Sequence, residues 1–447
     1  MMLRPEPLKR PAFQLKAATV LRPSLRAYRE FLVNDRLSPE ELQRLQDERS
    51  IAHARFAMQH TRFYAQLYRD AGFRLDDLRD PAAFTELPTI SKTDVREHFE
   101  RFKTDEAISR NVTTNVTGGS TGEPLRVLRD LRVPARALEW RLFRWWGIDP
   151  SVDVALVQRH TKTTRQAFKH NLTWWPSVRF QLDAFHMDRR EIEAFIERWR
   201  RVRPGLLIGY AGAIAELAMV IEERQINLPA PRAIAVTAAP ITEPQRHAVE
   251  SAFGAPVYDH YRSSEVPWIA GECSAHRGLH VFSDVRKVEI LAGDGRHAPA
   301  GVVGEVVVTD LSNRVFPMIR YRLGDRSSTL DGPCSCGVTL PRIAPIRGRA
   351  VDALRLPNGQ VVAGEGLAQI FSKTPDAVRQ FQIHQRDDFS VVLKCVPTER
   401  PESSSYVEAV SENLRSMLGH QVPVTCERVG AIAHVGGKVQ CVVSDVR

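Results

Sequence analysis

The sequence has no long hydrophobic run. No stretch of the 447 residues approaches the roughly 18 uncharged apolar positions that a membrane-spanning helix needs. The longest candidates, such as Leu206 to Val220, are interrupted by Gly, Tyr and Glu. The opening M-M-L-R-P-E-P-L-K-R has charges and prolines, and no apolar segment of secretory type follows it. Cysteine is scarce, and six thiols in such a chain argue against a disulfide framework. There is no internal repeat and no low-complexity tract. These absences lead to the expectation of a cytoplasmic globular protein without a transmembrane segment, with residues 1–36 as a loosely held N-terminal arm.

A hydrophobic content of 43% allows a sizeable core, and the length suggests two or three domains at about 150 residues each. The net charge of +9, from 62 Lys and Arg against 53 Asp and Glu, is spread along the chain. W-R-L-F-R-W-W (140–146) and E-R-W-R-R-V-R (197–203) mix arginine with tryptophan as some RNA-binding surfaces do. In the second, however, Ile192, Phe195, Ile196 and Trp199 fall at helical spacing, which favours an amphipathic helix with a basic outer face. Attraction of anionic small molecules fits the charge equally well.

Residues 38–70 read as helical, with Ser38 as N-cap, Pro39 at the first helical position and Glu40 and Glu41 in the first turn. Ser91 or Thr93 can cap a short helix further on. From Val112 the texture changes. V-A-L-V (154–157), L-L-I-G-Y (206–210) and A-I-A-V-T (233–237) alternate with helical segments at 188–202 and 211–224. This predicts an α/β domain with parallel pairing. Residues 279–330 read as strand-rich, and residues 350–447 as a small α+β domain with a helix near 403–418.

Four stretches can carry chemistry. In T-G-G-S-T-G (117–122), between two strand-like segments, successive backbone N–H groups and hydroxyls can form an anion-binding nest, although no Gly-Lys-Ser/Thr closes it as in a Walker A motif. A plain turn is the alternative. Two N-V-T sequons, at Asn111 and Asn115, lack the secretory context that glycosylation requires. Y-R-S-S-E (261–265) offers a ring for stacking, hydroxyls for phosphate and a carboxylate for a hard cation, or is simply a strand end with a surface Glu. R-Y-R-L-G-D (320–325) places Asp325 just beyond a glycine turn, where it can accept bonds from ribose hydroxyls or satisfy its own backbone. G-G-K (436–438) presents a lysine that can stabilise charge on a transferring group or remain an inert tail residue.

Cys334 and Cys336 form a close pair on a glycine knuckle, and Cys273 and His280 lie upstream in E-C-S-A-H-R-G-L-H. Three Cys and one His can close a tetrahedral structural zinc site, with His276 competing for the fourth place. Cys395, Cys426 and Cys441 read as ordinary buried thiols.

Taken in order, these motifs resemble the adenylate-forming superfamily, and within it the phenylacetate–CoA ligase family and its capsule-biosynthesis-protein-like branch. The likeness runs from about Leu37 to the C-terminus. It rests on T-G-G-S-T-G-E-P, on Tyr261 with Ser264 and Glu265, and on Glu272-Cys273 followed by Gly278-Leu279-His280. It continues in I-R-Y-R-L-G-D, C-S-C-G, Gly348-Arg349 with Asp352, and Gly437-Lys438.

The resemblance implies a large domain over 37–349 that binds ATP and the acyl group, with mixed and parallel sheets and helices, and a small mobile α+β lid over 350–447. It implies that ATP·Mg²⁺ lies with its phosphates on Thr117, Gly118, Gly119, Ser120, Thr121 and Gly122 and its adenine near Tyr261, with Ser264 also among the nucleotide-binding residues. Glu265 would hold Mg²⁺, Asp325 the ribose, and Arg349 the ribose or phosphates. A carboxylate would attack the α-phosphate, giving an acyl-adenylate and pyrophosphate, with Lys438 stabilising the charge. The lid would then turn about Val351 and Asp352 so that a thiol, typically of CoA, can attack. Tyr210, with Trp174 and Trp175, faintly suggests an aromatic acid. The chain departs from the family pattern at Val351, where a first acidic hinge residue is usual, at Ala239, where Glu is common, and at Arg262, where Gly is usual.

The expected partners are therefore a small carboxylate and CoA, with no nucleic acid, and the oligomeric state stays open between monomer and homodimer. Three alternatives remain. The acceptor can be an amine, a sugar or a carrier protein instead of CoA. The chain can be a non-catalytic nucleotide-binding homologue, against which the presence of Lys438, Glu265 and Asp325 argues. It can also be a basic nucleic-acid-binding protein, supported only by charge and the Arg/Trp clusters.

Overall fold

The computed structural model describes residues 6–117, 125–159, 171–184, 187–238, 240–241, 243–346, 354–362, 367, 370, 378–397, 403–432 and 442–446. Its strands, in chain order, begin with the hairpin β1 (Val112–Thr117) and β2 (Leu125–Asp130). There follow β3 (Val154–Gln158), β4 (Arg179–Asp183), β5 (Leu206–Tyr210), β6 (Ala233–Thr237), β7 (Val257–Tyr261), β8 (Ala270–Glu272) and β9 (Leu279–Val281). Next come β10 (Arg286–Leu291), β11 (Gly304–Asp310), β12 (Tyr321–Ser327), β13 (Thr329–Leu330) and β14 (Arg342–Ile343). The C-terminal part holds β15 (Leu354–Arg355), β16 (Val361–Val362), β17 (Val378–Gln385), β18 (Val391–Pro397), β19 (Val424–Arg428) and β20 (Val442–Ser444).

A nine-stranded sheet in the order β13-β14-β9-β8-β7-β6-β5-β3-β4 forms the frame. Strands β4, β3, β5, β6 and β7 are parallel, and from β7 onward the pairing is antiparallel. The central parallel strands β3 and β6 are almost wholly buried, largely apolar segments, as strands covered by helices on both faces must be. The helix Arg189–Val202 buries Ile192, Phe195, Ile196, Trp199 and Val202 and turns its arginines outward, while Asp188 caps its start by accepting from the Glu191 N–H. The basic run at 197–203 is thus the solvated face of a core helix. The tryptophans of 140–146 are buried too, in and just after the helix Ala135–Trp145. With Trp140, Trp145, Trp146 and Trp199 buried, neither cluster offers exposed rings for stacking on bases.

A three-stranded sheet, β10-β11-β12, packs with the helices of residues 39–102 around a second core that includes Tyr64, Phe102, Phe316 and Tyr321. Those helices start where the caps place them. Ser38 and Glu41 form a capping box on Pro39–His60, and Ser91 and Asp94 form another on Lys92–Glu97. Thr61 ends the first of these helices and caps the next, Arg62–Asp70, so the segment expected as continuous is broken there.

The N-terminal segment differs from expectation. Residues 6–34 form two helices, Glu6–Ala18 and Arg22–Asn34, that pack on the body rather than a loose arm. Buried Lys9 is ion-paired with Asp153, and Asp35, just after the second helix, accepts from Arg141 and from Trp145. The reason is electrostatic: Arg141 is fully buried in the core, and Asp35 supplies one of the two carboxylates that neutralise it, with Asp284 as the other.

In the C-terminal region, β19-β18-β17-β20 form a four-stranded sheet packed by the helix Ser403–Met417. Cys395 is buried there, whereas Cys426 is exposed, because its strand β19 lies at the sheet edge with little of it covered. Cys441 lies outside the described residues.

Candidate active site

In parallel α/β sheets, ligands bind beyond the carboxyl ends of the strands, where the strand order changes direction. Here the ends of three adjacent strands, β5, β6 and β7, bring Tyr210, Thr237 and Tyr261 together. A cleft there is lined by Thr237, Ala238, Asp259, Tyr261, Arg262 and Asp325, among others. The Tyr261 hydroxyl donates to Asp325 Oδ2 at 2.6 Å, joining the nine-stranded sheet to β12 of the three-stranded one. Asp325 sits within β12 and not beyond a turn. Gly324, at φ +78°, lies in the same strand, where the pairing of β12 with β11 is irregular.

Glu265 is buried, and its one described hydrogen bond is a long contact of 3.4 Å from the Tyr321 hydroxyl. Its oxygens therefore keep acceptor capacity for a hard cation. Ser264 turns its carbonyl toward the hairpin, where it accepts from Asn115 Nδ2 at 2.8 Å and from Arg129 Nη2 at 3.1 Å. Ser263 fixes the bend by accepting from the Val266 N–H at 2.8 Å. The hairpin strands β1 and β2 pair in register out to Thr117 and Leu125, so both ends of the glycine-rich stretch are held beside Y-R-S-S-E. Gly118, Gly119, Ser120, Thr121 and Gly122 lie outside the described residues, as do Arg349, Val351, Asp352 and Lys438.

Three residues gain a place in the site that motif reading did not give them. Asn115, which reads as a mere strand end, ties the hairpin to the Ser264 loop. Arg129 makes the same tie, and burial and the nearby Arg262 lower its guanidinium to about 10. Asp259 lies on the cleft wall, where burial and then the Glu272 carboxylate push its own carboxyl up to about 7. The period of two along Y-D-H-Y-R was the signal, because it places Asp259 and Tyr261 on one face.

A second constellation lies on the far side of β8 and β9. Ligand atoms of Cys273, His280, Cys334 and Cys336 all fall within 4.8 Å of one another. Cys273 Sγ is 3.6 Å from Cys334 Sγ, and Cys336 Sγ is 3.4 Å from His280 Nε2. His280 Nδ1 is 2.8 Å from the Leu340 carbonyl, which accepts its hydrogen and leaves the Nε2 lone pair facing the sulfurs. His276 is stacked on Tyr258 at 4.8 Å and paired with Glu272 at 3.5 Å, away from this group. Burial, and secondarily Cys336, push the Cys273 thiol up to about 12, so without a bound cation it stays protonated at neutral pH. The donor set and its convergence fit tetrahedral zinc.

Residues 354–445 match the CapK C-terminal domain family. Protein CapK of Staphylococcus aureus is 22% identical over 418 residues, covering 91% of this chain and 90% of that protein. The phenylacetate-coenzyme A ligase of Thermus thermophilus is 27% identical over 360 residues, covering 78% of this chain and 79% of its own length. Among solved structures, 2-hydroxyisobutyryl-CoA ligase, in complex with 2-HIB-AMP and CoA in the thioesterification state, superposes with a TM-score of 0.66 at 20% identity, covering 92% of this chain and 91% of that one. The chain is thus a homologue of CapK and of the phenylacetate-coenzyme A ligases, with the fold of the adenylate-forming CoA ligases.

Proposed function

We propose that this chain is an AMP-forming ligase that activates a carboxylic acid with ATP and passes the acyl group to a thiol, with CoA as the acceptor. The observation that carries this reading is the Tyr261–Asp325 hydrogen bond in a cleft that also gathers the Ser264 loop and the hairpin. In this reading adenine packs against Tyr261, and the lone pairs that Asp325 does not use on Tyr261 accept from ribose hydroxyls. The glycine-rich loop, Thr117 to Gly122, cradles the phosphates, with Arg349 alongside. Glu265 would hold Mg²⁺, which when bound neutralises phosphate charge.

The reaction needs no protein nucleophile. The substrate carboxylate oxygen attacks the α-phosphorus, the bond to the bridging oxygen breaks, and pyrophosphate leaves. Catalysis is positioning plus charge stabilisation, and Lys438 supplies the charge from the C-terminal lid. Rotation of the lid about Val351 and Asp352 then admits the thiol. Tyr210, at the end of β5, would line the acyl pocket in this reading. Structural Zn²⁺ on Cys273, His280, Cys334 and Cys336 would pin β9 to the 334–340 segment without taking part in the chemistry. The protein works in the cytoplasm on small molecules.

The test is a screen of carboxylic acids for ATP-dependent pyrophosphate release, with and without CoA, for wild type and Lys438→Ala. At least one acid releases pyrophosphate in wild type, and the variant loses about 100-fold or more of that rate. If no acid triggers release, or if the lysine is dispensable, the reading fails. Release that is unchanged by CoA points to a different acceptor.

A further inference from the structure

Alternation along β7 separates two sets of side chains. Asp259 and Tyr261 share one face, while Tyr258 and His260 share the other, and Arg262 follows directly after the strand. On that second face the rings form a continuous stack. Trp146 lies against Tyr258 at 5.4 Å and His260 at 6.1 Å, His260 lies flat on Trp268 at 5.6 Å, and the Arg262 guanidinium caps Trp268 at 5.1 Å. Every ring before Trp268 is buried, so the stack cannot slide, and it delivers Arg262 to the cleft at a fixed place. At this position Gly is usual in the family the sequence resembles.

Arg262 shares the cleft with Asp259 and Asp325, but Asp325 accepts from the Tyr261 hydroxyl and burial pushes the Asp259 carboxyl up to about 7. The Arg262 side chain is exposed at the cleft, and the protein beside it lowers its guanidinium below the ordinary arginine value. Among the described residues it makes no ion pair. Glu139, whose field reaches it, is already paired with Arg179 at 3.2 Å. Arg179 and Arg136 both lie over the Trp174 ring, at 3.4 and 4.5 Å, so three guanidiniums share the single carboxylate of Glu139. A purely hydrocarbon acyl group would desolvate Arg262 and offer it no counter-charge, which is costly. An anionic group would supply what is missing.

We propose that the acid activated in this cleft carries a second anionic group, in its simplest form a second carboxylate, which pairs with Arg262. The proposal rests on the adenylation reading above and deepens it: the site takes dicarboxylic acids in preference to their monocarboxylic counterparts. One carboxylate is adenylated while the other anchors on Arg262.

The experiment is ATP–pyrophosphate exchange on the full chain with matched pairs, phenylacetate against 4-carboxyphenylacetate and hexanoate against adipate. Wild type favours the diacid of at least one pair by about tenfold or more in kcat/KM, mainly through KM. Arg262→Gly abolishes that preference and admits the monoacid, and Arg262→Lys, which keeps the charge, retains part of it. Equal exchange with monoacids and diacids in wild type overturns the proposal and leaves adenylation standing. So does a diacid preference that survives Arg262→Gly. Absence of exchange with every acid removes the adenylation reading and this proposal together.

Discussion

The Tyr261 hydroxyl and Asp325 Oδ2, 2.6 Å apart, close one wall of the cleft across two sheets. Because Asp325 is buried, this bond is protected from water, and the carboxylate is held in one orientation by a neutral donor. Tyr261→Phe should raise the KM for ATP about three- to tenfold, as loss of one net hydrogen bond predicts. Asp325→Ala should raise it by tenfold or more, since about 1.5–3 kcal/mol rides on a charged acceptor. Steady-state pyrophosphate release at varied ATP measures both, and equal ATP affinity in all three proteins would count against a ribose contact.

Arg141 is fully buried between Asp35 and Asp284, at 2.8 Å from each. Replacing it with Met leaves two buried carboxylates without their cation. The expected cost is about 3–5 kcal/mol of unfolding free energy, read from urea denaturation. The helix Arg22–Asn34 should lose protection first in hydrogen exchange, because Asp35 anchors its end.

His260 is buried, and among the described residues neither ring nitrogen has a well-formed hydrogen bond; burial lowers its pKa to about 3. His53 is buried likewise, at about 4. Both are neutral in the folded chain but protonate near 6.5 when unfolded. Their contribution to stability is therefore present above pH 6.5 and is lost as pH falls through the window down to the folded values. At pH 5 each should have lost roughly 2 kcal/mol. A His260→Phe variant should show a smaller drop in melting temperature between pH 7.5 and pH 5 than wild type. An identical drop would mean that the imidazole titrates normally in the fold.

The cluster of Cys273, His280, Cys334 and Cys336 predicts about one zinc per chain in protein purified without chelator. Cys334→Ser should lose most of that metal and lower the melting temperature, since binding energy at such a site is folding energy. Elemental analysis together with thermal denaturation decides this, and unchanged zinc content in the variant would refute the site.

Much of this protein was written in local sequence. The capping boxes at Ser38 and Ser91, the buried strands β3, β5 and β6 and the helix Arg189–Val202 follow from side-chain chemistry within a few residues. The runs carrying Tyr261, Glu265 and Asp325, and the cysteines that converge with His280, could also be picked out, because each is a short run with its own chemical logic. Tertiary structure decided what no run contains. Asp35 meets Arg141 across 106 residues, and Asn115 reaches the Ser264 carbonyl across 149. His280 faces the sulfurs while His276 turns to Glu272. Arg262 reads as a single departure from a motif until the ring stack on β7 delivers it, without a carboxylate partner among the described residues, into the cleft. Sequence determines which groups a segment can offer, because propensity and periodicity act over a turn or a strand. Which groups meet, and whether a charge finds its counter-charge, depends on long-range packing and desolvation, and those exist only in the folded chain.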